Sequence, residues 1–504
     1  MLRELLVTLS AGCWFAASGI AATCESLAGL NLPGTTISVA KEVPAGSFEM
    51  PGAPAAQQAG YRRLPAFCRV AAVLAPTADS EIKIEVWMPV EKWNGKFLGV
   101  GNGGWSGAIG YPGLAGGVLH GYAVASTNTG HDGSEAKFVP GHPEKLADFG
   151  YRAVHEMTVK GKAIAEAFYS KAPQHAYWNG CSSGGKQGLK EAQKFPLDYD
   201  GIVAGAPANY WTHLMAGDLW PSMVTKKDPA ADLPPAALEV LHRAVLEACD
   251  SLDGVKDGLL EDPAKCHFDP AKVACKGTET ENCLTAAQVE SARKIYGGAK
   301  NPRTGKLIFP PMTPGSELVW PALAGKTPFG VPMEHFKWVV FNNPDWDFKT
   351  LDLDKDVARA DKLDNGLLNA TNPDLKPFFG HGGKLMIYHG WNDQLIAPGN
   401  SVNYYNSVAA KMGGVAKIDG SFRLFMAPGM NHCSGGDGPS RIDALSAMEQ
   451  WVEQGKAPEQ LLAGHATANG QVDRTRPLCP YPQVAKYKGS GSIDDAANFV
   501  CAKP

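Results

Sequence analysis

The chain has 504 residues, of which 44% are apolar and only 19% charged. That is ample material for buried cores and excludes a globally disordered chain, and at about 150 residues per domain the length fits two to four domains. The formal net charge is −4 and no basic run occurs, which excludes nucleic acid as the main partner.

At the N-terminus, Arg3 precedes an apolar stretch from Leu5 to Ala22 that closes on the small residues Ala21 and Ala22. This is the layout of a cleaved secretory signal over residues 1–22, and it predicts a secreted or periplasmic protein. Glu4 offsets Arg3, so an uncleaved anchor helix and a lipoprotein lipidated at Cys13 stay open as alternatives. Cleavage after Ala22 removes Cys13 from the eleven cysteines and leaves ten, an even number that reads as disulfides in an exported chain. No Cys-x-x-Cys pair occurs, which argues against zinc ribbons and thioredoxin-like sites. No later segment offers about 18 uninterrupted apolar residues, so no stable membrane association is expected.

Strand signals follow. Residues 81–88 alternate, with Ile82, Ile84, Val86 and Met88 on one face, and short apolar runs at 96–101 and 121–126 close on glycine or polar turns. Residues 146–169 carry apolar positions at helical spacing. A buried strand is predicted at 175–178, a helix at 183–195 stopped by Pro196, and another strand at 201–204. Strand alternating with helix predicts a parallel sheet covered on both faces. From about Asn209 to Asn372 the rhythm is replaced by four cysteines, Asp-Gly pairs, many prolines and aromatic residues between Phe329 and Phe348. Strands return at 384–389 and 422–426, with a helix over 439–454. The predicted organisation is a core of residues 23–208 and 373–504 with a second domain, 209–372, inserted into it.

The sharpest chemical feature lies between the strand at 175–178 and the helix at 183–195. Gly180-Cys181-Ser182-Ser183-Gly184 fits the Gly-x-Ser-x-Gly elbow, which forces a serine into a strained turn with small neighbours. With 57 glycines in the chain the pattern alone is weak; its strand–turn–helix setting makes Ser182 a candidate nucleophile. A serine needs a base and the base an orienting acid, and on this fold they follow in the order serine, acid, histidine. Asp393 sits just past the strand at 384–389, and His432 in the loop after the next strand. Cys181 precedes the candidate nucleophile and Cys433 follows the candidate base. If these two cysteines are bonded, their Cα atoms lie about 5.5 Å apart, and the bond brings Ser182 and His432 within reach. Oxyanion stabilisation calls for backbone N–H groups, one being that of Ser183, after the nucleophile. The loop Gly99-x-Gly101-x-x-Gly104 spells a dinucleotide fingerprint, but no helix pattern opens directly after it, so that reading is rejected and no organic cofactor is implied.

A second motif runs from Asp250 to Glu261, with Asp253-Gly254 and Asp257-Gly258 turns. Its carboxylates suit a hard, oxygen-seeking cation such as calcium, although its spacing is not that of an EF-hand and solvated Asp-Gly turns fit the same composition. The aromatic residues between Phe329 and Phe348 read either as the roof of a pocket for an aromatic acyl group or as the inserted domain's own core.

Cys181-Ser182, Asp393 and His432-Cys433 together resemble the Cys-Ser…Asp…His-Cys signature of the tannase/feruloyl esterase family, as do Trp93-Asn94-Gly95-Lys96-Phe97, the run Asp200 to Pro207, and Arg476 to Pro482. The resemblance spans nearly the whole mature chain and implies an α/β fold, an α/β-hydrolase core with an inserted lid. It implies Ser182 as nucleophile, His432 as general base and acid, Asp393 as its orienting partner, and Gly104 as the second oxyanion donor beside Ser183. It implies a structural calcium in the lid, held by the side chains of Asp250, Asp253 and Asp257 and the carbonyls of Val255 and Leu259. It also implies the pairings Cys24–Cys68, Cys249–Cys266, Cys275–Cys283 and Cys479–Cys501. The expected activity is hydrolysis of feruloyl or galloyl esters. Alternatives are hydrolysis of a synthetic aromatic monoester such as mono(2-hydroxyethyl) terephthalate, and a non-catalytic binding module on the same fold. The oligomeric state is not legible.

Overall fold

The computed structural model describes residues 23–277 and 282–504; the predicted signal segment with Cys13 lies outside the described residues. Nine strands form the central sheet: β1 (Thr35–Val43), β2 (Phe67–Leu74), β3 (Ile82–Pro89), β4 (Lys96–Val100), β5 (Ala123–Thr127), β6 (His175–Cys181), β7 (Gly201–Gly205), β8 (Lys384–Gly390) and β9 (Phe422–Ala427). Their spatial order is β1-β2-β3-β5-β4-β6-β7-β8-β9. β1, β2, β3 and β5 pair antiparallel; from β5 through β4 to β9 every pairing is parallel. The parallel half needs crossovers, and helices supply them on both faces.

Successive residues in a strand point to opposite faces, so the two faces can be read from neighbours. Val86, Phe97 and Trp178 enter one core with Met157 and Ile164 of the helix Ala153–Tyr169, Leu189 of Ser183–Lys194 and Val408 of Gly399–Met412. Trp87, Leu98 and Tyr177 enter the other with Leu114 of Tyr111–Leu119 and Met448 of Ala444–Gln454. The alternation predicted for β3 is present, with Ile82, Ile84, Val86 and Met88 in one core. The intervening Glu85 is nonetheless buried, because the second face is covered too. A bidentate Arg69 at 2.6 and 2.9 Å, the Trp87 indole N–H and the Tyr111 hydroxyl satisfy it.

Two predicted helices differ in detail. The helix read at 146–169 starts at Pro143 and contains a π turn at Asp148–Arg152, an extra residue that apolar spacing of three and four does not register. The helix read from Pro439 begins at Ala444, capped by the Asp443 carboxylate, because Arg441 and Ile442 instead pair with Gly464 and Ala463. Between β7 and β8 no described residue joins the nine-stranded sheet. The chain there forms the helices Trp211–Thr225, Pro235–Cys249 and Ala286–Gly297 and several short turns. It leaves from the end of the sheet where β6 also ends, which sets helical cover beside Ser182.

Candidate active site

β6 stops at Cys181, and Ser182 turns the chain with φ 64° and ψ −123° before the helix Ser183–Lys194. A non-glycine residue holds this conformation only where its surroundings fix it. The Ser182 N–H donates to the Gly205 carbonyl at 2.9 Å, and the Ser182 carbonyl accepts from Ala208 N at 3.1 Å. The flanking glycines are required by close approach. A Cβ on Gly101 would lie 2.5 Å from Gly184 Cα and 3.1 Å from Gly180 Cα, and one on Gly185 would lie 2.4 Å from the Gly205 oxygen. The Gly99–Gly104 run is thus a packing device that lets the loop after β4 touch the elbow.

All five expected disulfides are formed. The Cys181–Cys433 bond joins residues 252 apart in sequence with Cα atoms 6.0 Å apart, which places the Ser182 turn beside the His432 loop. His432 Nδ1 lies 2.8 Å from Asp393 Oδ2, and the His432 N–H donates to Gln394 Oε1 at 3.0 Å. Asp393 is 1% exposed, and burial alone would raise its pKa. Hydrogen bonds from His389 and His432 outweigh burial and hold the carboxyl well below the usual carboxylate range. Its other oxygen accepts from the N–H groups of Leu395 and Ile396 at 2.9 and 2.8 Å. An ionised Asp393 makes His432 Nδ1 the protonated nitrogen and leaves Nε2 as the basic one. The Ser182 hydroxyl makes no hydrogen bond to the described residues, so its contact with His432 is not closed; such bonds tighten in the substrate complex.

Ser183 is buried, and its hydroxyl donates to the Gly104 carbonyl at 2.9 Å. Ser183 is the first residue of its helix, so its N–H has no intrahelical acceptor. Gly104 has φ 49°, and its N–H likewise finds no acceptor among the described residues. Two unspent N–H groups therefore stand on either side of the Ser183–Gly104 bond.

Several supports escaped the sequence reading. His389 is completely buried, with Nε2 3.1 Å from Asp393 Oδ2 and 2.9 Å from the Ile396 carbonyl, while Nδ1 lies 2.7 Å from Ser401 Oγ. It is a second imidazole on the same carboxylate; the only signal was a histidine four residues before Asp393. Asn102 and Gln187 bond each other reciprocally and pin the loop after β4 to the helix of the elbow; nothing in their spacing announced this.

Of the aromatic residues between Phe329 and Phe348, Phe336, Trp346 and Phe348 are buried with Trp105, Phe149 and Trp211, and Phe336 stacks on Trp346. They are the interior of the inserted segment. That interior reaches the loop of Gly104: the Trp105 indole donates to the Val331 carbonyl at 3.1 Å.

The Asp250–Glu261 motif forms a tight loop whose carboxylates cap its own backbone. Asp250 accepts from Asp257 N and Gly258 N, Asp253 from Val255 N, and Asp257 from Leu259 N. Val255 and Leu259 are buried. Burial, augmented by Asp257 and Asp250 against the Val255 N–H, pushes Asp253 up to about 6. Burial pushes Glu261 up to about 8 although Ala485 N–H and Arg476 oppose it. Arg476 pairs with Asp257 and is the one basic side chain ion-paired to the motif's aspartates at 250, 253 and 257 among the described residues. The loop is rich in hard oxygen donors and short of positive charge, a chemistry that suits calcium, although the Asp250, Asp253 and Asp257 carboxylates do not bring one oxygen each within 4.8 Å of one another.

The strand order and the strained serine between a parallel strand and its helix define an α/β-hydrolase. The sequence model for tannase and feruloyl esterase matches residues 68–502. An uncharacterized esterase of Xanthomonas campestris pv. campestris is 38% identical, covering 99% of this chain and 95% of that protein. A probable feruloyl esterase B-2 of Aspergillus terreus is 37% identical over 98% of each chain. The crystal structure of feruloyl esterase B from Aspergillus oryzae superposes with a TM-score of 0.89 at 34% identity, covering 95% of this chain and 99% of that one. The chain belongs to the tannase and feruloyl esterase family and is a carboxylic ester hydrolase.

Proposed function

We propose that the protein is a secreted serine esterase that cleaves esters of phenolic acids, feruloyl or galloyl, through an acyl-enzyme. The observation that carries this reading is the positive-φ Ser182 tied through Cys181–Cys433 to the loop of the Asp393-bonded His432. Kinship to probable feruloyl esterases supports the acyl class, and the five disulfides support an oxidising compartment. No helix among the described residues is long and apolar enough to cross a membrane.

His432 Nε2 takes the Ser182 proton as the Oγ attacks the ester carbonyl. The oxyanion is received by the N–H groups of Ser183 and Gly104, which are fixed before charge develops. His432 then protonates the leaving alcohol, and a water molecule it activates hydrolyses the acyl-enzyme. Residues 209–372 act as a lid over this corner, and the loop of Asp250, Asp253, Val255, Asp257 and Leu259 holds a structural calcium. That ion would neutralise the loop's surplus charge and takes no part in the steps above.

Hydrolysis of 4-nitrophenyl acetate by the wild type and by Ser182→Ala tests the reading: the variant is expected to lose activity by at least about 10³-fold. Equal rates would sink it and favour a binding module. Methyl ferulate, methyl gallate, chlorogenate and mono(2-hydroxyethyl) terephthalate, compared by kcat/KM, then fix the acyl group, and preference for the terephthalate ester would overturn the phenolic assignment.

A further inference from the structure

At the opposite end of the helix that starts at Ser183, three ligand-bearing side chains converge from three separate segments. His155 comes from the first turn of the helix Ala153–Tyr169, Glu191 from the last turn of Ser183–Lys194, and Asp198 from the turn leading into β7. One ligand atom from each lies within 4.8 Å of the other two, and no other trio of His, Cys, Asp or Glu among the described residues does so.

Glu191 sets this group apart from a surface acidic cluster. It is 1% exposed, and neither of its oxygens has a hydrogen-bond partner. A buried carboxyl is normally satisfied by donors or by a charge, yet its neighbour here is a second carboxylate. Lys162, the nearby cation, spends its ammonium on the Asp198 backbone carbonyl. Burial first, and then Asp198, hold the Glu191 carboxyl well above its usual range. His155 Nδ1 sits 2.7 Å from Asp198 Oδ2, and its ring stacks on Phe195 with centroids 3.8 Å apart, so the imidazole is already oriented.

We propose that His155, Glu191 and Asp198 bind one divalent transition-metal cation of the zinc type. A single imidazole nitrogen with two carboxylate oxygens is a mixed set that suits zinc, manganese or cobalt, with a fourth position left for water; calcium prefers six to eight oxygens. Ligand atoms at about 2.1 Å from a tetrahedral ion stand roughly 3.4 Å apart, which the trio reaches by small side-chain adjustments. When the ion takes His155 Nδ1, the ring proton moves to Nε2 through solvent, and any proton on Glu191 passes to the buffer. The His155 and Asp198 side chains are 28% and 14% exposed, which leaves an entrance from solvent. The bound ion would clip the far end of the serine's helix to its neighbour and to the start of β7. Its role is structural, since none of the three residues faces the reacting atoms.

The experiment is calorimetric titration of the EDTA-stripped mature enzyme with ZnCl₂ in excess calcium, with CoCl₂ absorption as a second readout. One saturable site of micromolar affinity or tighter is expected, with a rise in Tm and visible cobalt bands of a mixed nitrogen–oxygen site. Glu191→Gln and His155→Ala are each expected to weaken zinc by at least about tenfold while hydrolysing 4-nitrophenyl acetate within about twofold of wild type. Glu191→Gln is nearly isosteric; should it fail to fold, His155→Ala decides alone, because His155 is partly exposed. Absence of saturable binding would overturn the proposal and leave a proton shared between Glu191 and Asp198. Binding that survives both substitutions, or that calcium displaces, would overturn it equally.

Discussion

Two buried carboxylate sites in this molecule have opposite electrostatics. Asp393 is surrounded by donors: two imidazoles on one oxygen and two backbone N–H groups on the other. It stays ionised although it is almost fully enclosed. In the Asp250–Glu261 loop, partial burial meets several carboxyls with one ion-paired arginine, and Asp253 and Glu261 are pushed up instead. Burial alone does not decide the charge of a carboxyl; the donors packed around it do. The first site is complete within the chain, whereas the second is the one where we propose a bound calcium.

Breaking the complete site is expected to have the largest effect. Asp393→Asn should keep the fold, because the amide can occupy the same space, but it favours the wrong tautomer of His432. A fall in kcat of about 10⁴-fold is expected, measured on methyl ferulate with circular dichroism as the fold control. A loss below tenfold would show that His389 and the backbone, rather than Asp393, set the imidazole.

The tie between the two halves of the site comes next. Cys181→Ala/Cys433→Ala removes the covalent link without touching Ser182, Asp393 or His432. Small displacements of reacting groups cost about 10²-fold, and a loss of that order in kcat is expected at temperatures where the variant is folded. Full activity in the folded double variant would show that packing of Gly101 on Gly180 and Gly184 suffices to place the serine.

Perturbing the proposed calcium site should move stability more than rate. Chelation with EGTA is expected to lower Tm by several degrees and calcium to restore it, with kcat/KM on the folded enzyme changing less than about twofold. Asp253→Asn should blunt that response. An unchanged Tm on chelation contradicts a structural calcium.

The smallest effect is the most specific, because the two sites have opposite pH linkage. Asp393 has a folded pKa below its usual 3.8, so the stability it contributes is full above that value and is lost as pH falls through the lower folded one. Asp253 rises from 3.8 to about 6 and Glu261 from 4.5 to about 8. Between those limits the folded state holds protons that the unfolded chain has released, so stability falls as pH rises from about 4 to about 8. In EGTA, Tm should decline over that window, and saturating calcium should flatten the decline. A Tm that rises with pH in EGTA would mean the loop carboxyls are stabilised by protein donors after all.

The chemistry was more legible in the sequence than its supports. Ser182, Asp393 and His432 could be placed because each sits at a strand end marked by glycines or a cysteine, and these are local signals. The central strands were legible for the same reason, since unbroken apolar runs such as Gly201 to Gly205 fit a strand buried on both faces. β1 and β2 were not read: β1 is mostly exposed or half-buried, and in β2 the half-buried face carries the apolar Ala71 and Val73, so neither strand shows a clean polar–apolar alternation. Gln394 with His432, and Asn102 with Gln187, are tertiary contacts between segments 38 and 85 residues apart, while His389 meets Asp393 locally at a spacing that marks no chemistry by itself. No period in the sequence encodes them. The helix proposed from Pro439 failed at its start for a related reason: Arg441 and Ile442 are claimed by a strand more than twenty residues downstream.

The central claim is that Ser182 is made nucleophilic by the imidazole that Asp393 orients and the disulfide brings near. Reaction with a serine-directed fluorophosphonate, mapped by peptide mass spectrometry in the wild type and in folded His432→Ala, tests it most directly. The account predicts a single adduct on Ser182 that forms at least about 10³-fold more slowly in the variant. An adduct on another residue, or equal labelling rates in the two proteins, would contradict it.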